Sequence, residues 1–172
     1  MRRRAAFSLL LFLAAGGLSC AADEGTARLV NIATRAAVGG TAGTPIPGFV
    51  LSGPGAKPIV VRAIGPTLGG FGVSGVLADP RLGLVSGVAT SVTNDNWNAA
   101  DAAAMTAAGG FALTAGSKDA ALVANLDAGT YSAPVTATDG GSGIALVEVY
   151  DGAPGSGPSI VNASTRAFVG TG

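Results

Sequence analysis

Turn-forming residues recur at short intervals along this chain and limit the length of any element that it can form. The 172 residues include 28 Gly and nine Pro, so a bundle of long helices is disfavoured. Between the turns lie short runs rich in β-branched residues, which are typical of strands. These runs are 28–32, 49–51, 58–64, 82–85, 88–93, 120–126, 131–138 and 144–150. The pattern predicts an all-β fold, an antiparallel β-sandwich of the jelly-roll or immunoglobulin-like kind.

Local signals refine this prediction. Turns are expected at 86–87, 127–129 and 139–143, where Asp, Ser and Gly separate the runs. Pro134 interrupts its own run and lacks a backbone donor, which indicates an edge strand or a bulge. Tyr131 follows the polar segment 127–130 and resembles a tyrosine corner, whose hydroxyl bonds to the backbone a few residues upstream. That role is structural.

One short Ala-rich helix is predicted between strands. Asn98 is suited to cap its N-terminus, and Asp101 places an acid in the first turn. Three Ala and Met105 follow, and Gly109-Gly110 ends the helix. Because Ala buries little area, Met105 is expected to be its main contact with the sheet.

The N-terminal residues 1–22 have the pattern of a secretory signal peptide. Three Arg precede an apolar run from Phe7 to Ala15, which is too short to span a membrane. Cleavage is expected after Ala21 or Ala22, which leaves a protein secreted or held at the cell surface and not transmembrane after processing. A minority interpretation is a lipoprotein acylated at Cys20, since Leu18-Ser19 precedes that residue.

Composition excludes several function classes. The chain has no His and one Cys, which removes His-based acid-base catalysis, His-ligated metals and an intramolecular disulfide. Loss of the leader removes three Arg and leaves an excess of acidic groups, so a nucleic-acid partner is not expected. No Gly-x-Ser-x-Gly elbow occurs, and Ser117-Lys118 is a weak candidate for a catalytic pair. We therefore expect no enzymatic activity.

An internal repeat divides the chain. Residues 29–39 recur as 160–170, with seven of eleven positions identical. The sequence thus predicts a signal peptide at 1–22, a β-sandwich module at 23–151, a Gly/Pro linker at 152–159 and the truncated start of a second copy at 160–172. This last segment is expected either to fold back onto its own module or to enter another molecule as a donated strand, and folding back or fraying is favoured in the isolated chain.

Several segments carry a resemblance to a known group of proteins. The segments are 61–68 with Ile64-Gly65-Pro66-Thr67, 71–80, Asn94-Asp95-Asn96-Trp97, 128–131 and 145–151. Together they resemble an uncharacterised family of secreted bacterial β-sandwich repeat modules, over nearly all of 27–151. They are also distantly similar to the prepeptidase C-terminal domain. The resemblance implies an exported module, single or in tandem, beside neighbouring repeat modules. The chain departs from the family pattern at Leu84-Val85 and at Pro134.

The Asn94–Trp97 turn is the main candidate binding site. Asp95 and Asn96, with Asp79 elsewhere in the chain, supply the oxygen ligands that Ca²⁺ prefers. Trp97 beside polar amides could stack on a sugar. The alternatives are turn chemistry for the Asn and Asp residues and a core-covering role for the only Trp. Apart from this possible Ca²⁺, no cofactor is expected.

Two arginines near apolar strands are structural candidates. At least one of Arg35 and Arg62 is expected to pair with a carboxylate, either Asp79 or Glu148. The sequence therefore favours a non-catalytic exported structural or adhesive module of a cell-surface or extracellular protein. The alternative is a carbohydrate- or calcium-dependent binding module centred on the Asn94–Trp97 turn, with cell-surface polysaccharide as the partner.

Overall fold

A computed structural model describes residues 27–87 and 90–170, and the predicted leader at 1–22 lies outside these residues. The strands are β1 (Asn31–Val38), β2 (Ile46–Ile64), β3 (Pro80–Ser86), β4 (Thr90–Asn94), β5 (Ala120–Ser132), β6 (Val135–Ala137), β7 (Gly143–Asp151) and β8 (Ser159–Arg166). One helix, α1 (Ala102–Ala107), and three short 3-10 segments complete the described elements. All strand pairings are antiparallel, so the predicted antiparallel all-β fold with one short helix is confirmed.

The eight strands form one continuous sheet. Its order is β1-β7-β2-β5-β3-β4, with β8 also paired to β2 and β6 to β3. The first half of β2 pairs with β8, and its second half pairs with β7 on the same side. The chain thus runs along β2 twice, as β7 and then as β8. No helix of the described residues is long and apolar enough to cross a membrane.

The sheet curls around an irregularity in its longest strand, β2. In β2, which has 19 residues, the register with β5 shifts between Leu51 and Ala56, where two glycines have positive φ. Opposite this bend, β5 runs without a break through 127–129, so the turn predicted there is wrong. Asp127 and Gly129 pair with Ala56 and Leu51, and the ladder continues through the bend. Pairing with β2 overrides the local turn preference.

The inner face of the curled sheet holds the main core. It collects residues from both halves of β2, together with side chains of β5 and β7. Its members include Phe49, Leu51, Ile59, Val61, Ala63, Tyr131, Val147 and Val149. The alternation of these positions along β2 places its odd-numbered residues inward.

The outer face is covered around the second half of β2. There Val60 and Ile64 pack beneath α1 and the loop that follows it, with Met105 and Leu113 buried against them. The side chain of Asn98 accepts a hydrogen bond from the amide of Ala100 (3.0 Å), as expected of the predicted cap. Strand residues of this region are therefore buried on both faces.

Two of the expected segments lie at the margins of the sheet. Pro134 lies between β5, which ends at Ser132, and the three-residue β6, in agreement with the interruption that the sequence predicts. The segment expected to begin a second copy forms β8, which pairs with β2 from Ile46 to Ser52. Residues 160–166 thus belong to the sheet of this module.

Candidate functional site

The Asn94–Trp97 turn is held by its own polar side chains. Asn94 donates from Nδ2 to the carbonyl of Asn96 (2.9 Å) and accepts from the amide of Ala121 (3.0 Å). Asn96 donates from Nδ2 to Oδ1 of Asp95 (3.3 Å). Through these two bonds the Asn94 side chain stabilises the turn and joins it to β5. This agrees with the alternative prediction that the Asn and Asp residues here stabilise a turn rather than bind a ligand. Asp95 is partly exposed and Asn96 is exposed.

Trp97 is half-buried and belongs to the outer core cluster with Met105 and Leu113. Its indole Nε1 donates to Oγ of Ser117 (3.1 Å), and its amide donates to the carbonyl of Asp119 (2.8 Å). Both donors are used inside the fold. These contacts favour the core-covering role over a sugar-stacking surface.

Asp79 and Asp95 act on the same side chain, Lys118. Asp79 Oδ2 accepts from Lys118 Nζ at 2.5 Å, while Asp79 Oδ1 is buried and has no hydrogen-bond donor. The hydrogen bond and the charge of Asp79 raise the pKa of Lys118 above 10.5, and the charges of Asp139 and Asp95 raise it further. Lys118 is therefore an exposed ammonium group among three carboxylates. The part of the chain that the structure describes contains no group of three acidic side chains close enough to hold a metal ion.

Asp119 organises the loops beside this turn, a role that the sequence analysis missed. Its side chain is fully buried and accepts from the amides of Gly65 (2.8 Å) and Thr67 (3.3 Å). It also accepts from the hydroxyls of Thr67 and Ser117. Four donors on two segments thus converge on one carboxylate.

Because Ser117 bonds to Asp119 while Lys118 bonds to Asp79, the candidate Ser-Lys catalytic pair does not form.

Arg62 forms the central ion pair of the outer face. Its Nε lies 3.0 Å and its Nη2 2.5 Å from Oε2 of Glu148, and its Nη1 donates to the carbonyl of Phe111 (2.6 Å). The guanidinium also lies over the rings of Phe111 and Tyr150, at 4.6 and 5.4 Å from their centroids. Arg62 is completely buried and Glu148 nearly so. The expected pairing of an arginine with Glu148 is found here.

The other residues of that prediction behave differently. Arg35 is exposed on β1 and forms no ion pair with a described residue. Asp79 pairs with Lys118 rather than with an arginine. Asp79 as a partner of Arg35 or Arg62 is thus wrong, because Arg62 faces β7 and Asp79 precedes β3, on the far side of β5.

A second buried ion pair was not predicted. Lys57 and Asp151 are each 1% exposed, and Lys57 Nζ lies 2.6 Å from Asp151 Oδ2. Asp151 Oδ1 accepts from the amide of Ala153 (3.0 Å), which holds the chain as it leaves β7. In the sequence, Lys57 precedes the apolar run 58–64 and Asp151 follows the apolar run 144–150. That these two charges meet depends on the register of β2 with β7, which the sequence does not show.

Two tyrosines complete the account of the site residues. Tyr131 donates its hydroxyl to the carbonyl of Asp127 (2.8 Å), four residues upstream, the bond expected of a tyrosine corner. Its ring stacks on Phe49 at 5.3 Å between centroids. Burial raises the pKa of Tyr150 above 10.0, and the charge of Glu148 adds to this shift while Arg62 opposes it.

Comparison of the chain with protein-family models, with curated proteins and with solved structures finds no match. The resemblance to secreted bacterial repeat modules therefore stays a prediction from the segments that carry it.

Proposed function

We propose that this chain is a non-catalytic structural or adhesive module of an exported protein of the cell surface or extracellular space. The observation that carries the proposal is that the buried charged side chains bond to other groups of the fold. Arg62, Lys57 and Asp119 are each buried, and each is bonded to groups of the fold itself. Catalytic groups are instead found with perturbed charges directed into a cleft. Charges placed this way support a role in holding the module together.

The finer architecture is part of the same proposal. A continuous sheet that curls until residues of both halves of β2 share one core supports a β-sandwich module of jelly-roll or immunoglobulin-like type. The leader pattern at 1–22 supports export, with lipidation at Cys20 as the minority route. The repeat at 160–170 supports neighbouring modules as partners.

Export is tested by expressing the full chain in a bacterium and measuring the intact mass of the released protein. We expect a chain beginning at Ala22 or Asp23 with no added lipid. Retention of the leader in a cytosolic product would contradict export, and a diacylglycerol on Cys20 would select the lipoprotein route.

One observation favours a second candidate, calcium-dependent binding. Asp79 Oδ1 is buried and has no hydrogen-bond donor, while Asp79 Oδ2 accepts from Lys118 Nζ. A divalent cation would have to displace the Lys118 ammonium to use these oxygens. The variant Lys118→Met removes that competitor, and Asp79→Asn removes the main ligand.

Thermal melts with Ca²⁺ and with EDTA, and calorimetry with a panel of cell-surface polysaccharides, separate the two candidates. The structural proposal expects equal melting temperatures and no heat of binding to any sugar at the Trp97 surface. A Ca²⁺-dependent rise in melting temperature that grows in Lys118→Met and disappears in Asp79→Asn would establish the binding module instead.

A further inference from the structure

Two phenylalanine rings and an arginine are exposed along one groove of the outer face. Phe71 is 64% exposed and Phe168 is 55% exposed, and no other aromatic ring of the described residues is exposed to this extent. Both line the same groove as Arg35, which forms no ion pair with a described residue. Single exposed apolar side chains are ordinary, but their convergence on one groove marks a contact site for another molecule.

This outer groove has two lobes that meet at Arg35, Phe71 and Val73. One lobe extends to Phe168, and the other extends to Leu146 on β7. Each lobe has a volume of about 550 Å³ and is open to solvent. Small ligands are usually held in clefts that bury most of their surface, so an open groove of this length is better suited to a chain that lies along it.

The loop that carries Phe71 is fixed by contacts beneath it. Phe71 ends the 3-10 segment Pro66–Phe71, and the start of this segment is bonded to the buried carboxylate of Asp119. The ring of Phe71 meets the ring of Phe111 edge-on, with 5.0 Å between their centroids. Gly72 then turns the chain with φ +79°, a conformation that favours glycine. The exposed ring is thus positioned in advance, which reduces the ordering that binding would require.

Arg35 lies on β1 between small side chains. Side chains alternate along a strand, and Ile32 and Val38 belong to the main core, so the odd-numbered residues of β1 share the outer face. The neighbours of Arg35 on this face, Ala33 and Ala37, are too short to cover the guanidinium. Of the described residues that line the two lobes, Arg35 is the one that carries a charge. Because a guanidinium can donate two parallel hydrogen bonds to a carboxylate, this position favours a carboxylate ligand.

An anionic polysaccharide fits this groove better than a peptide or a lipid. A peptide would add to the outer edge of β1, but the module's own chain faces that edge through the Leu29–Ile160 bridge and the contact of Thr34 with Thr165. A lipid chain requires an enclosed apolar cavity, whereas both lobes are open. A polymer of uronic acids supplies rings for the two phenylalanines and carboxylates for the arginine.

We propose that the outer groove binds polysaccharides that contain uronic acids. Phe71 and Phe168 contact the sugar rings, and Arg35 binds a carboxylate. One exposed ion pair contributes little, so binding is strengthened when successive sugars of the polymer occupy both lobes. The inference rests on the adhesive part of the proposed function, to which it adds a ligand class and a site separate from Trp97.

Calorimetry of the full chain with polygalacturonate tests the site. The chain carries ten basic and ten acidic groups, so no overall attraction to an anionic polymer is expected and binding requires a local site. Two matched polymers separate the contacts. Methyl-esterified polygalacturonate keeps the sugar rings and lacks the charges, whereas polyglutamate keeps the charges and lacks the rings. We expect binding to polygalacturonate, binding about two- to fivefold weaker to the esterified polymer, and no binding to polyglutamate.

Variants assign the binding to the side chains of the groove. Phe71→Ala, Phe168→Ala and Arg35→Gln should each weaken binding to polygalacturonate by about two- to tenfold. Two matched controls change exposed residues that do not line the groove: Val169→Ala, next to Phe168, and Arg81→Gln on β3. Both controls should bind as the parent does. Added NaCl should weaken the binding of the parent more than that of Arg35→Gln, because salt screens the exposed ion pair.

Thermal melts verify that the variants are folded, and their melting temperatures should stay close to that of the parent because every changed side chain is exposed. Absence of binding to polygalacturonate, equal affinity for the esterified polymer, or equal binding by groove variants and controls would overturn the proposal. Binding to polyglutamate that the groove variants lose would assign the groove to acidic peptides and overturn it as well. A failure here leaves the export test unaffected, and a cytosolic product that still binds would contradict export alone.

Discussion

Replacing Arg62 by methionine measures how far the buried ion pair holds the module together. Arg62→Met leaves the Glu148 carboxylate without its partner and the carbonyl of Phe111 without its donor. Removing one member of a buried pair costs about 3–5 kcal/mol, and the upper part of this range is expected because the Glu148 side chain is only 7% exposed and gains little water. We therefore predict a loss of about 4–5 kcal/mol, a large fraction of the stability of a typical domain at about 5–15 kcal/mol.

The assay is urea unfolding at neutral pH, with the midpoint and the slope compared among four proteins. The double variant Arg62→Met/Glu148→Leu removes both charges and should recover to within about 1 kcal/mol of the parent, or exceed it. Arg35→Met, at an exposed site on β1, should change stability by less than about 0.5 kcal/mol. A single variant that loses less than about 1.5 kcal/mol, or a double variant no better than the single one, would refute the reasoning.

Three further predictions concern other residues. Asp119→Ala should lower the free energy of unfolding by about 3 kcal/mol or more in urea titrations, because buried donors lose their acceptor, while Asp127→Asn at the exposed bend should be nearly neutral; equal losses would contradict the Asp119 network. Since folding raises the pKa of Tyr150, the contribution of this group to stability is fully present below pH 10.0 and is lost as the pH rises further, a trend that Tyr150→Phe should reduce in melts above pH 10.0. Gly65→Ala places a Cβ 2.1 Å from a backbone oxygen and should cost about 1–3 kcal/mol in thermal melts, against no loss for Gly69→Ala, which meets nothing within 4 Å.

Two of the features predicted correctly from the sequence depend on neighbours in the chain. The cap at Asn98 and the corner at Tyr131 each involve bonds within four residues, so the local pattern contains both partners. The prediction of a turn at 127–129 was wrong because pairing with β2 holds the backbone of these residues in an extended conformation. Asp119 and Lys57 were missed for the same reason: their partners come from segments brought close only by the strand register. Asp79 and Asp95 were predicted as candidate metal ligands, whereas the bond of Lys118 to Asp79 was not predicted, because the two residues are 39 positions apart in the chain.

The way that β8 closes onto the first half of β2 also determines when this protein can fold. Contacts such as that between Thr34 and Thr165 join residues 131 positions apart, and the β1 and β7 ladder spans almost as much of the chain. Loop-closure entropy must be overcome before these contacts form, so folding is expected on the slow, millisecond-to-second side of small domains. A ribosome-bound chain that still lacks 143–166 has the central strand β2 but neither β7 nor β8, the two strands that pair along one of its edges. We therefore expect the module to complete its fold only after its C-terminal end has been synthesised, so that most of its synthesis passes without a finished sheet.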